Sequence, residues 1–264
     1  MEDFKFKKSF GQNFLKDKNI VSNIVRYSEI KPNSLVIEIG PGAGALTKEL
    51  SMYASHVLAY EIDTRLEDIL DENLVNCSNV DIIFDDFLRR DVSKDIEKYQ
   101  YDNIYVIANL PYYITTPIIE KLIESGISFE KVTIMIQKEV GDRLSARVGS
   151  RNYGSITVFL NYYFEIKKLF DVSRNCFIPA PNVDSVVISL ISKKEKLEVI
   201  NEKLLFQLIR DSFRFKRKNL RNNLKSYDLL KVEEVLKKYN FDLTVRAEEL
   251  SINVFVDIAN NLSK

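Results

Sequence analysis

Leu35-Val36-Ile37-Glu38-Ile39-Gly40-Pro41-Gly42-Ala43-Gly44 decides the architecture of this chain. A short, mostly apolar run bounded by turn residues reads as a buried strand. Helical spacing takes over from Ala45 to Tyr53. Glycines at such a strand-to-helix turn permit a tight bend and close approach of a ligand to the backbone.

Outward from this stretch the alternation repeats. Val57–Glu61, Val80–Phe84, Ile104–Ala108 and Lys131–Ile136 are strand-like, and Thr116–Ser125 has helical spacing. Strands alternating with helices imply an α/β domain whose parallel sheet is covered on both faces. Ser155–Phe164 and Ser185–Ile191 read as two further strands, the second after the rigid Pro179-Ala180-Pro181, closing the sheet as a hairpin pair. After Ser192-Lys193-Lys194 the pattern becomes helical. Leu204, Leu205, Leu208 and Ile209 form one stripe; Leu229, Leu230, Val232, Val235 and Leu236 form another; Val254, Phe255, Ile258 and Ala259 form a third. The expected division is residues 1–192 as an α/β domain and 193–264 as a small all-α domain.

The 264 residues are 45% hydrophobic and 29% charged, an ordinary globular composition. No window is apolar for long enough to span a membrane. Met1-Glu2-Asp3-Phe4-Lys5 lacks the apolar core of a signal peptide, so a cytoplasmic location is expected. Cys77 and Cys176 are too few and too isolated for a zinc site or a disulfide framework, and no metal is expected. The net charge is zero, but its distribution is uneven. Arg210, Arg214, Lys216, Arg217, Lys218, Arg221 and Lys225 face a single acid, Asp211. A local basic face on a neutral protein suits a phosphate-bearing partner, and equally describes a solvated helix face.

Three strand tips carry acids or glycines. The first bears Gly40, Gly42 and Gly44. Glu61 closes the second, where a carboxylate can take both hydroxyls of a ribose. Asp85-Asp86-Phe87 follows the third, where a carboxylate can accept from an adenine amino group and Phe87 can pack on the ring. Glycines and Glu61 alone fit a nicotinamide dehydrogenase. The G-x-G-x-G spacing and the third tip instead resemble the Rossmann-like adenosylmethionine-dependent methyltransferases.

The fourth tip, Asn109-Leu110-Pro111-Tyr112, supplies an amide oxygen, carbonyls without a competing proline N–H, and a flat aromatic face. These are parts for holding the exocyclic amino group of a base. Asn109 through Pro117 strongly resembles the ribosomal RNA adenine dimethyltransferases. Further blocks agree in order: Phe10-Gly11-Gln12-Asn13-Phe14-Leu15, then Phe177 through Ser185, then Arg246-Ala247-Glu248-Glu249-Leu250-Ser251. Gly11, Leu110 and the Arg246 block favour the branch that modifies small-subunit ribosomal RNA during assembly over the branch that modifies the large subunit and confers antibiotic resistance. A DNA adenine methyltransferase shares the acceptor chemistry without the helical carboxyl-terminal block. A binding role without catalysis, as an assembly checkpoint, is a further alternative, against which the intact Asn109 and Tyr112 argue.

The resemblance implies a mostly parallel seven-stranded sheet and a helical RNA- or ribosome-binding domain. It implies adenosylmethionine as cofactor, with adenosylhomocysteine as product. Gln12, Asn13, Leu15, Gly40, Gly42, Gly44, Glu61, Ile62, Asp86, Phe87 and Asn109 are the expected cofactor residues. Asn109, Leu110, Pro111, Tyr112 and Phe177 are the expected catalytic set, with Tyr112 and Phe177 clamping a base that has left its stack. Arg214, Lys216, Arg217, Lys218 and Arg221 are the expected RNA contacts, joined by Lys5, Lys7 and Lys8. Asp85 stands where the family commonly has glycine and Asn182 where it commonly has lysine. Asp86 is preferred to Asp85 for the cofactor. His56 has no partner that would make it a catalyst. The expected partner is the small ribosomal subunit or its precursor, and a monomer is expected.

Overall fold

The computed structural model describes residues 12–195 and 197–264. Lys5, Lys7, Lys8, Phe10 and Gly11 lie outside the described residues. The chain divides into two compact units, one of Met1–Gly141 with Lys167–Ser192 and one of Asp142–Ile166 with Lys193–Lys264.

Among the described residues nine strands run in chain order: β1 (Phe14–Leu15), β2 (Ser34–Ile39), β3 (His56–Glu61), β4 (Val80–Phe84), β5 (Asn103–Asn109), β6 (Lys131–Gln137), β7 (Phe164–Val172), β8 (Phe177–Ile178) and β9 (Ser185–Ser192). Seven form one sheet in the order β4-β3-β2-β5-β6-β9-β7, while β1 and β8 pair separately and antiparallel. Pairs β2–β3, β3–β4, β2–β5 and β5–β6 are parallel, and β6–β9 is antiparallel. The fold is thus the α/β sheet expected. Continuous apolar runs such as Leu35–Ile39 and Ile104–Ala108 are what parallel strands buried on both faces require. Every residue of β2 is buried.

On one face Val36, Val57, Tyr105, Ile107, Met135 and Val187 pack with Val21, Ile24 and Val25 of the helix Lys18–Ser28. That helix begins where the Asp17 side chain accepts from the Asn19 and Ile20 N–H groups. Full burial of each large apolar side chain stabilises the fold by about 1.5–3 kcal/mol.

The order of the sheet fixes where a ligand can sit. Strand order reverses between β2 and β5, and the crevice beyond the carboxyl ends of strands at such a point is the usual ligand site of an open α/β sheet. The β2–β5 register pairs Ser34 with Asn103 and Ile37 with Val106. Continued upward it sets Gly40 opposite Asn109. On the other side Ile39 pairs with Tyr60 and Glu61 with Phe84, so the tips of β2, β3 and β4 lie in line.

The second unit is helical. Ser155–Tyr163, Glu202–Ser212, Leu220–Asn223, Leu229–Lys238 and Ile252–Leu262 enclose a core that includes Val158, Tyr162, Leu205, Leu208, Val235 and Phe255. Two expectations need correction. Ser155–Tyr163 is a helix and not a strand; the strand that completes the sheet starts at Phe164. Its β-branched and aromatic residues favour extended backbone only weakly, and burial of Thr157, Val158, Leu160 and Tyr162, with Val158 and Tyr162 in the helical core, outweighs that preference. Leu230 is exposed and lies off its stripe. No helix among the described residues is long and apolar enough to cross a membrane.

Candidate active site

A cavity of about 590 Å³ lies in the first unit, walled by the turn after β2, the tips of β3, β4 and β5, and the segment that contains β1. That volume is within the range of small-molecule sites. The turn wall is mostly backbone. Gly40, Gly42 and Gly44 all take positive φ, +75°, +59° and +82°. At Gly42 an added Cβ would meet the Phe14 ring at 3.0 Å, and at Gly44 it would meet Leu70 at 3.2 Å. The spacing of glycines therefore reflects two needs, a left-handed backbone and close packing on both sides of the turn.

Glu61 is buried and binds this turn to its own strand. Its carboxylate accepts from the Gly42 N–H at 3.1 Å and from the Asp63 N–H at 2.9 Å. Burial pushes its carboxyl up, while those backbone bonds pull it down. Each oxygen retains acceptor capacity for a further hydroxyl. Glu38, one strand away, is fully buried on the same wall, and its Oε2 has no hydrogen-bond partner. Burial raises its carboxyl to about 8, so it is mostly protonated at neutral pH. At the third tip Asp86 accepts from the Leu88 N–H at 3.0 Å, which starts a helical turn. Asp85 accepts from the Asp86 N–H at 2.7 Å and pairs with Arg90 at 3.4 Å. Phe87 is buried edge-on to Tyr60, with ring centroids 5.2 Å apart. Ile62 is half exposed at the rim.

Residues 12–16 cross the cavity as a strap. Gln12 Nε2 donates to Asp63 Oδ2 at 2.8 Å. Phe14 and Leu15 pair with Ile178 and Phe177, and the Lys16 N–H reaches the Cys176 carbonyl at 2.9 Å. Asp63 is buried, and the Arg65 guanidinium beside it holds its carboxyl well below the usual carboxylate range. The anchor for Gln12 is consequently a full negative charge.

The fourth tip faces this strap. Asn109 Nδ2 donates to the Asn13 carbonyl at 3.1 Å. That bond holds the amide and leaves Oδ1 with acceptor capacity. The Leu110 N–H is held by the Met135 carbonyl at 3.1 Å, which fixes the backbone of the tip to β6. Tyr112 is half-buried, and its hydroxyl lies 2.7 Å from Ser185 Oγ. Burial raises that hydroxyl's pKa, so Tyr112 offers a ring face and not a base.

All the expected cofactor residues, together with Asn109, Leu110, Pro111 and Tyr112, line this one cavity. Phe177 does not. It is 2% exposed and packs in the core beside Val172, Met135 and Val187. Ile178, next along β8, takes the wall position, because alternate residues of a strand point to opposite sides. Phe177 thus stands behind the wall and not among the residues that line the cavity. Three contributors escaped the reading of the sequence: Glu38, Asp63 and Ser185. Glu38 had a signal, an acid inside an apolar run. Asp63 pairs locally with Arg65, but its link to Gln12, and that of Ser185 to Tyr112, span 51 and 73 residues and left none.

In the second unit Arg214, Lys216, Arg217, Lys218 and Arg221 are all exposed around the turn between the helices Glu202–Ser212 and Leu220–Asn223. Among the described residues no group of three or more His, Cys, Asp or Glu side chains is placed to hold a metal ion.

A family model described as ribosomal RNA adenine dimethylase matches residues 3–264. A ribosomal RNA small subunit methyltransferase A of Bacillus cytotoxicus is 45% identical, over 98% of this chain and 92% of its own length. A protein of the same name from Streptococcus gordonii is also 45% identical, with the same coverage. Among solved structures, a dimethyladenosine transferase from Plasmodium falciparum superposes with a TM-score of 0.76 at 28% identity, covering 93% of this chain and 95% of that one. The 23S rRNA methyltransferase ErmE superposes at 0.78 with 26% identity, covering 96% of this chain and all of that one.

Proposed function

The chain belongs to the ribosomal RNA adenine dimethylase family, and from that premise we propose that it transfers methyl groups from adenosylmethionine to N6 of two adjacent adenines near the 3′ end of small-subunit ribosomal RNA. The small-subunit assignment is supported by relatives of that name at 42–45% identity, well above the 26% shared with the large-subunit enzyme.

The observation that carries the chemistry is Asn109. Its amide is oriented by the Asn13 carbonyl, and it lines the same cavity as the glycine turn. The residues fit the donor. Glu61 has spare acceptor capacity for ribose hydroxyls, Asp86 for an adenine amino group, and the unpartnered Oε2 of Glu38 for a further hydrogen bond. When bound, adenosylmethionine supplies a methyl group on a positively charged sulfur and leaves as adenosylhomocysteine. The protein's part is alignment. Asn109 Oδ1 and the Leu110 carbonyl accept from adenine N6–H, drawing the nitrogen toward a tetrahedral shape with its lone pair available. Pro111 contributes no competing N–H. Tyr112, its hydroxyl held by Ser185, presents a fixed ring face for the flipped base. The methylated nitrogen loses its proton to water, so no tuned base is required. Preorganised dipoles and alignment supply the acceleration. N6 carrying one methyl retains one hydrogen for Asn109, so a second transfer is possible; the dimethylated product has none and is released.

The exposed cations from Arg214 to Arg221 are assigned to RNA phosphates, which position the substrate without reading its sequence. The test is incubation with labelled donor and, separately, immature small subunits, large-subunit RNA and duplex DNA. Label is expected in the small-subunit RNA as dimethyladenine. Label confined to either of the other substrates would overturn the reading.

A further inference from the structure

We propose that Phe215 is a stacking platform for an unpaired base of the ribosomal RNA substrate, remote along the chain from the methyl-transfer residues. Of the large apolar side chains exposed among the described residues, Phe215 is the one phenylalanine, at 56% exposure. It sits in the turn between the helices Glu202–Ser212 and Leu220–Asn223, with the exposed Arg214, Lys216, Arg217 and Lys218 beside it and Arg221 just beyond. A single exposed ring is ordinary by itself; the cations around this one and the pinned backbone beneath it set it apart.

The turn is built to hold the ring still. Asn223 is buried at its base and acts as a hub. Its Nδ2 donates to the Ser212 carbonyl at 2.7 Å and to the Phe215 and Lys218 carbonyls at 3.4 Å each. Its Oδ1 accepts from the Phe215 N–H at 3.3 Å. The Lys218 N–H also donates to the Phe215 carbonyl, at 2.8 Å. Both backbone groups of Phe215 are thus committed, which presents the side chain outward at low entropic cost. The Arg214 guanidinium lies 5.6 Å from the ring centroid and leaves much of the ring open.

Charge decides the occupant. An apolar partner surface would have to strip water from the surrounding cations with no anion to replace it. A single-stranded stretch of RNA offers phosphates to the cations and a π-face to the ring together, which is how unpaired nucleic acid is held elsewhere. The inference rests on the reading of the chain as an RNA-modifying enzyme.

Three variants and a crosslink test it. Phe215→Ala is expected to weaken binding to immature small subunits about tenfold. It leaves the salt slope of binding unchanged, because no charge is altered. Phe215→Trp restores affinity, while Phe215→Leu, apolar without a π-face, does not. A photoreactive phenylalanine analogue at position 215 crosslinks to ribosomal RNA. Unchanged affinity in Phe215→Ala, full rescue by leucine, or a crosslink to ribosomal protein alone overturns the proposal. The parent chain, assayed beside the variants, separates the two readings: if it methylates small-subunit RNA while Phe215→Ala binds normally, the platform fails and the activity stands.

Discussion

The cavity above the sheet and the basic turn of the helical unit present opposite solutions to holding a ligand. In the cavity the ligand-facing groups are backbone, or side chains tied in place: Glu61 by the Gly42 and Asp63 N–H groups, Asn109 by the Asn13 carbonyl, Tyr112 by the Ser185 hydroxyl. At the turn five exposed cations face water, with Lys216 reaching the Arg151 carbonyl at 3.0 Å, and the backbone beneath them is pinned. The first arrangement suits chemistry, where an error of an ångström in alignment costs rate. The second suits a polyanion, for which charge density counts more than the placement of any one side chain. Damage to the cavity should therefore appear in turnover or donor affinity, and damage to the turn in substrate affinity and its response to salt.

The sharpest way to break that contrast is Asn109→Ala. It is expected to lower methyl transfer by roughly a thousandfold or more while donor affinity stays nearly intact. Near-normal turnover would remove Asn109 from the chemistry. Glu38 tests the cavity wall by pH. Burial raises its carboxyl to about 8 from an ordinary 4.5, so between those values the folded chain keeps a proton that the unfolded chain has released. Stability of the donor-free protein should fall as pH rises through this window. Glu38→Gln should remove about 2–4 kcal/mol of that decline, measured as the melting temperature from pH 4 to 9. An identical slope in parent and variant would show that Glu38 is not held protonated.

On the other side of the contrast, reversing charge at Arg217 and Arg221 should weaken substrate binding ten- to a hundredfold by a rough estimate. The log–log salt slope should flatten by about 1.5. An unaltered slope would make the turn a solvated face. The smallest effect is expected from Ser185→Ala, which leaves the Tyr112 hydroxyl without its partner. A loss of about 1 kcal/mol, a few-fold in turnover, should follow with donor affinity unmoved. An equal loss in donor affinity would instead mean that Ser185 supports the whole wall.

Much of this division was legible in the chain. β2, β3, β5, β6 and β9 are short, mostly apolar runs, as buried strands are, while β4 at the sheet edge is half-buried and keeps an aspartate. The glycine turn and the tip acids were legible for the same local reason, since a strand tip is contiguous with its strand. Ser155–Tyr163 misled because a short run that is apolar on most sides has no decisive period, and burial among helices then selects the helix. The side of β8 that Phe177 faces was not legible, because the aromatic itself carries no mark of it. Phe215 passed unnoticed because exposure is invisible in a sequence. A phenylalanine near an apolar stripe reads as part of the core.

The sequence by itself determined which chemical groups the protein possesses and which strand end bears each: glycines after β2, Glu61 after β3, aspartates after β4, Asn109 to Tyr112 after β5. Only the tertiary structure decided how those groups are aimed. Asn109 is oriented by a carbonyl 96 residues earlier, and Tyr112 is held by a hydroxyl 73 residues later. Phe177 is turned into the core, and Phe215 out into water. Composition and local pattern are properties of neighbours along the chain, whereas burial and hydrogen-bond partnership depend on segments that meet only when the chain has folded.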